Sequence, residues 1–247
     1  MKTVSNGSTK YGRLINVEND AKTKKGSSAG YLTAILYLAP GNLSGRELCP
    51  FRTPGCSCGC LYTAGRGRMR NVMAGRMRKS KLFLTDPRGF VDELARQIGT
   101  HVKRAARRKM RPVIRLNGTS DLPWENLRTS DGQSLMTLYP DVIFYDYTKN
   151  HARMLARRQP LNYHLTFSRS ELNDADCLRV LANGDNVAVV FDTRKGAALP
   201  DTWNGYRVVD GDANDLRFLD PRGVVVGLRA KGDAKHDAHG FVVPCAA

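Results

Sequence analysis

Short apolar runs, rich in β-branched and aromatic residues, recur along the chain with polar or turn-forming residues between them. They fall at Tyr31–Ala39, Pro112–Leu116, Val142–Tyr147, Asn162–Phe167, Val187–Phe191, Tyr206–Val209 and Val224–Leu228. Several are apolar at consecutive positions, as in VAVVF and GVVVGL. Strands covered on both faces read this way, which predicts a parallel sheet. Between them the period changes to that of a helix. Asp86 or Thr85 can cap a helix with Pro87 in its first turn, placing Phe90, Val91, Leu94, Ile98, Val102 and Ala105 on one face. Shorter helices are predicted over Pro123–Arg128, Ser134–Tyr139, Ala152–Arg158 and Ser170–Leu181, the last opened by a Ser170 cap.

About seven strands alternating with helices predict an α/β fold, a complete or partial (β/α) TIM-like barrel, with a doubly wound open sheet as the other arrangement. Residues 1–30 are polar and rich in Lys, Gly and Ser, so they are read as an N-terminal arm, with residues 31–247 as a single domain. The first dozen residues lack a signal-peptide core, and the longest apolar stretch, YLTAILYLA, is too short to span a bilayer. The expectation is a cytoplasmic protein with no membrane partner.

Ligands of such folds bind at the carboxyl ends of the strands. Polar residues gather there: Asn117, Ser120 and Asp121 after one strand, Asp146 and Lys149 after the next, then Ser168, Asp192, Asp210 and Lys231. Taken together they predict a cofactor- or substrate-binding mouth, and Lys149 and Lys231 are the cations expected beside a carboxylate or phosphate.

Of the six cysteines, four lie between Cys49 and Cys60, in the segment CPFRTPGCSCGC. Cytosolic thiols stay reduced, so this density beside Pro and Gly points to metal. Cys56 and Cys60 are four residues apart and share a face if a helical turn begins there, while Cys49 folds back across the Pro50 and Pro54–Gly55 bends. Cys58 is then the spare. Three thiolates suit a [4Fe–4S] cluster with one open iron. Structural zinc, taking Cys58 as fourth ligand, is the second occupant, although paired CxxC knuckles are missing. Cys177 and Cys245 are read as packing residues.

The formal charge is +16, and sixteen Lys and Arg stand against Asp86, Asp92 and Glu93 between residues 61 and 115, a local net of +13. Such a field attracts polyanions, so a nucleic-acid-binding accessory or regulatory protein with a structural metal is the alternative to an enzyme.

The motifs KTKKG, GYLTAILYLAPGNLSG, CPFRTPGC, CLYTAGRG, RLNGTSDLPWE, FYDYTKN, NYHLTFSRSE, VAVVFD and VDGDANDLRFLDPRGVVVGLRAKG resemble a bacteriophage-encoded family, the gene product 88-like proteins, across nearly the whole chain. The resemblance carries no assigned reaction, and its cysteine pattern matches Cys49, Cys56 and Cys60. A more distant resemblance is to radical S-adenosylmethionine (radical SAM) enzymes, which place three cluster cysteines in the loop after the first barrel strand. It implies S-adenosylmethionine as a cofactor, although six and three residues separate the cysteines here instead of the usual CxxxCxxC.

Overall fold

The computed structural model describes residues 10–17, 26–156 and 158–245. Nine strands form one sheet: β1 (Ile15–Val17), β2 (Tyr31–Leu36), β3 (Arg111–Arg115), β4 (Ile143–Thr148), β5 (Tyr163–Ser168), β6 (Val187–Phe191), β7 (Thr202–Trp203), β8 (Tyr206–Asp210) and β9 (Val225–Arg229). Their order is β1-β2-β3-β4-β5-β6-β9-β8-β7. The ladders from β2 to β8 are parallel, and the short edge strands β1 and β7 pair antiparallel with their neighbours. The mixed α/β class is as the apolar runs predict. No ladder joins β1 to β7 among the described residues.

Helices cover one face. The first is α1 (Pro54–Cys58), followed by α2 (Arg70–Thr85), α3 (Pro87–Arg107), α4 (Leu135–Leu138), α5 (His151–Leu155) and α6 (Asp174–Ala182). Asp86 caps α3 by accepting the Gly89 N–H at 3.0 Å, and Pro87 occupies its first turn. Phe90, Leu94 and Ile98 of α3 then pack with Leu36, Ile114 and Phe144 in one core. A second core joins Cys177, Val180 and Leu181 of α6 to Phe167, Val187 and Val189. Burying such side chains stabilises a fold by roughly 1.5–3 kcal/mol each.

The opposite face is filled from within. Its strand residues alternate with the core positions, and residues 215–218 insert against them. The Phe218 ring lies 5.2 Å from that of Tyr31, 5.9 Å from Tyr145 and 6.0 Å from His164. Strands β2 and β5 stand three spacings apart, about 14 Å in a flat sheet, yet both reach this one ring. Above Phe218, Asp215 accepts from Arg115 (2.9 Å) and from the Tyr145 hydroxyl (2.8 Å), and Arg115 lies 4.7 Å from the centre of the Tyr147 ring.

Several elements differ from expectation. The cysteine loop follows β2, the first parallel strand, because β1 adds an earlier edge strand. Helix α2 lacks an apolar stripe: its buried positions are Arg76, Lys79, Ser80 and Phe83. Residues Trp124–Asn126 form a single 3-10 turn in place of a helix. Helix α6 begins at Asp174 because the Asn173 side chain accepts the Ser170 N–H at 2.6 Å, so Ser170 lies outside the helix. Of the predicted arm, residues 1–9 and 18–25 lie outside the described residues. The described part folds onto the domain, with Tyr11, Leu14 and Ile15 in the first core.

Candidate metal centre

The loop from β2 is shaped before any ligand is considered. Leu48 is buried in the first core, which fixes the neighbouring Cys49. Thr53 caps α1, its Oγ1 accepting the Cys56 N–H at 3.3 Å, and Pro54 takes the first helical position. The Glu171 carboxylate accepts the Gly55 N–H (2.7 Å) and the Thr53 hydroxyl (2.8 Å). A Cβ on Gly55 would lie 2.8 Å from both Glu171 Oε2 and Phe241 Cβ, so only glycine lets α1 sit between them. After Gly59, Cys60 opens a 3-10 turn at Leu61–Thr63.

Cys49, Cys56 and Cys60 are each partly buried on this loop. Cys49 Sγ accepts the Gly41 N–H at 3.4 Å and donates to the Thr119 carbonyl at 3.7 Å. Burial pushes its thiol up to about 12, with smaller contributions in the same direction from Cys60, Asp121 and Cys56. Cys60 is also raised, by burial first and by Cys56, against the lowering effects of the Tyr62 N–H, Lys149 and Arg76. The three thiols therefore feel one another. Cys58 is exposed, with its sulfur 3.5 Å from His239 Nε2, and stands apart from them.

Arg76 of α2 reaches this place from the side. It is 8% exposed, its guanidinium lies 5.1 Å from the centre of the Tyr37 ring, and its Nε and Nη1 have no hydrogen-bond partner among the described residues. Burial lowers its pKa, and Tyr37 and Cys60 oppose that shift. Lys149, at the end of β4, donates to Ser168 Oγ at the end of β5 (2.8 Å). Asp121 accepts the Lys149 backbone N–H (2.8 Å), lies 3.7 Å from Arg153 Nη1, and is raised by burial. A cleft of about 510 Å³ opens beside Cys60, lined by Tyr62, Thr63, Gly67, Arg68, Arg70, Met73 and Asp233.

Thiolates are soft donors, and binding a metal would displace the protons that burial favours on Cys49 and Cys60. Among the described residues no three Cys, His, Asp or Glu side chains are gathered tightly enough to hold a single ion. A tetrahedral zinc would draw its sulfurs to about 3.8 Å from one another. A [4Fe–4S] cluster binds each thiolate to a different iron and takes a wider spread.

Of the strand-end residues singled out from sequence, Asp121, Lys149 and Ser168 gather near the sulfurs. Asn117 and Ser120 build the turn beneath: Asn117 Oδ1 accepts from Ser120 Oγ (2.9 Å), Leu122 N (3.0 Å) and Trp124 Nε1 (3.0 Å). Asp146 is wholly buried, accepts the Asn117 N–H (2.7 Å) and the Tyr163 hydroxyl (2.8 Å), and is pushed up to about 7 by burial. Asp192 is exposed. Asp210 pairs with Arg229 at 3.0 Å, and Lys231 with Asp212 at 2.5 Å. Sequence reasoning missed Arg76, Tyr37 and Glu171. Tyr37 lies within an apolar run and Glu171 lies in the SRSE motif, but neither position by itself signals its tertiary partner.

The basic segment is divided by the fold. Arg66, Arg68, Arg70, Lys81, Arg88, Lys103, Arg107, Arg108 and Lys109 are exposed, while Arg76, Lys79 and Arg115 are buried. No helix among the described residues is long and apolar enough to cross a membrane.

No curated protein and no solved structure matches the chain, and no comparison connects it to radical SAM enzymes. The phage-family resemblance does have a counterpart: residues 13–244 match the family model described as Gene product 88, and the chain belongs to that family.

Proposed function

We propose that the chain is an iron–sulfur protein whose Cys49, Cys56 and Cys60 hold a [4Fe–4S] cluster at the mouth of a partial (β/α) barrel. The observation that carries this reading is the electrostatic influence of Cys49, Cys56 and Cys60 on one another, all three partly buried, beside a buried guanidinium whose Nε and Nη1 have no hydrogen-bond partner among the described residues. A cluster held by three thiolates leaves one iron for an exogenous ligand. The residues that would meet such a ligand are Lys149, Ser168 and Asp121, which supports an enzyme acting at the mouth, with S-adenosylmethionine as the cofactor to try first. The host-cell cytoplasm, where thiols stay reduced, is the compartment that suits this chemistry.

Anaerobic purification followed by iron, sulfide and zinc analysis tests the reading on wild type and on alanine variants of Cys49, Cys56, Cys58 and Cys60. The expected result is brown protein with near-stoichiometric iron and sulfide, lost in every variant except Cys58→Ala. Colourless protein carrying one zinc, lost in all four variants, refutes the cluster.

A second reading is a nucleic-acid-binding accessory protein with a structural metal. It draws on Arg66, Arg68 and Arg70, exposed in a row beside the cleft. Affinity for duplex or single-stranded nucleic acid that falls steeply with salt supports it, and a salt-insensitive affinity removes phosphate contacts as its basis.

A further inference from the structure

We propose that Arg76 receives the anionic group, a carboxylate or phosphate, of a small ligand that enters along the cleft beside Cys60 and lies against the Tyr37 ring. A guanidinium carries five N–H donors and is never found neutral. Enclosing it without an acceptor leaves its desolvation uncompensated, so a buried orphan of this kind marks a missing acceptor. Arg76 is 8% exposed, and its Nε and Nη1 have no partner among the described residues. The flat face is already occupied by Tyr37, 5.1 Å from the ring centre, which leaves the N–H edge to present. Each orphaned atom shares a two-donor edge with Nη2, and a bidentate anion matches such an edge in a way a point acceptor does not.

The surroundings favour the same sign of ligand. Lys149 donates to the neutral Ser168 hydroxyl and makes no ion pair among the described residues. Asp121 gives Oδ2 to the Lys149 backbone N–H and turns Oδ1 toward Arg153. In the cleft, Asp233 is paired with Arg68, and Arg70 adds an exposed cation. Met73 lines the cleft one helical turn before Arg76, and Tyr62 on its wall donates its N–H to Cys60, so the cleft adjoins the elements that carry Arg76 and Cys60. This inference stands without the cluster, because the orphaned donors belong to the protein alone.

Inorganic phosphate and malonate, titrated separately into the full-length protein by calorimetry, test it and distinguish the two anion classes. Each is run on iron-loaded and on iron-free protein of measured metal content. The expected result is saturable binding of at least one probe at one per chain in both forms. Arg76→Gln should weaken it by about tenfold or more, as expected for loss of a charge-assisted bidentate pair, with Arg76→Lys in between. Equal affinity in wild type and Arg76→Gln overturns the proposal, as does the absence of saturable binding. Binding confined to iron-free protein also overturns it, since Arg76 would then serve the metal group. Should Arg76→Gln not fold, the Arg76 Nε–H resonance of wild type decides. A probe-dependent shift supports the site, and an unmoved resonance refutes it.

Discussion

Replacing Glu171 should loosen the cysteine loop while leaving the rest of the fold intact. Its carboxylate accepts two hydrogen bonds from α1, from Gly55 N–H at 2.7 Å and from the Thr53 hydroxyl at 2.8 Å. Hydrogen bonds to a charged group contribute about 1.5–3 kcal/mol each. In Glu171→Ala water replaces part of both, so local opening of α1 should become easier by about 3 kcal/mol, roughly a 150-fold change in the opening equilibrium. Glu171→Gln keeps an acceptor for Gly55 and loses the charge, so about 1 kcal/mol, near fivefold, is expected. Amide hydrogen exchange at Gly55, read by NMR, reports this opening directly because its N–H is the one held by Glu171. Exchange at Gly55 should accelerate in that order while core amides of β4 keep their protection. A change below about threefold in Glu171→Ala would sink the clamp. Equal acceleration in β4 would show a global loss of stability instead of a local one.

Removing Asp215 strands the buried Arg115, and Asp215→Ala should lower stability by about 3–5 kcal/mol in urea unfolding; a loss under 1 kcal/mol would show that water reaches the pair. Lys79, buried against the Leu14 carbonyl at 3.1 Å, is lowered to about 8 by burial first and then by Arg76 and Arg78. Its native state prefers the neutral amine, so its contribution is complete above about pH 10.5, is lost as pH falls from there to about 8, and is level below. The loss is on the order of 3 kcal/mol. Lys79→Met should therefore be more stable than wild type at pH 7 by roughly 1–3 kcal/mol, with the gain shrinking toward pH 10, whereas a pH-independent difference contradicts this account. Gly118→Ala would place a Cβ 2.5 Å from Tyr37 Cδ1 and 2.7 Å from the Leu36 carbonyl. It should cost about 2 kcal/mol or more and displace Tyr37 from Arg76, visible as a lower melting temperature and weaker anion binding.

The parallel strands were legible because burial on both faces writes itself as consecutive apolar residues, as in VAVVF of β6. Helix α3 was legible because Phe90, Val91, Leu94 and Ile98 repeat at the helical period behind a Pro-containing cap. Helix α2 obeyed no such pattern, since polar side chains point inward from it: Lys79 reaches the Leu14 carbonyl, Ser80 accepts the Ala39 N–H at 2.7 Å, and Arg76 is enclosed against Tyr37. Strands β1 and β7, of three and two residues, are too short to show alternation. In the site, spacing and the family's cysteine pattern set Cys58 apart from the other three, and the fold exposes it. Arg76 was invisible within a run of cations, because a charge count cannot distinguish a solvated arginine from one enclosed against Tyr37.

The residues leaving β5 connect these observations. Ser168 accepts from Lys149 near the sulfurs, Arg169 donates to the Gly240 and Phe241 carbonyls at 2.5 and 2.9 Å, and Glu171 holds α1. Gly55 and Gly59 face Phe241 closely enough that a side chain on either would collide with it or press it aside. The cysteine loop is thus held between a carboxylate on one side and a C-terminal segment on the other, and both holds originate in one four-residue run. A strand end that fixes two walls of a loop determines where the sulfurs can be. That is why the informative residues around Cys49, Cys56 and Cys60 are the neighbours that leave the thiols no other position.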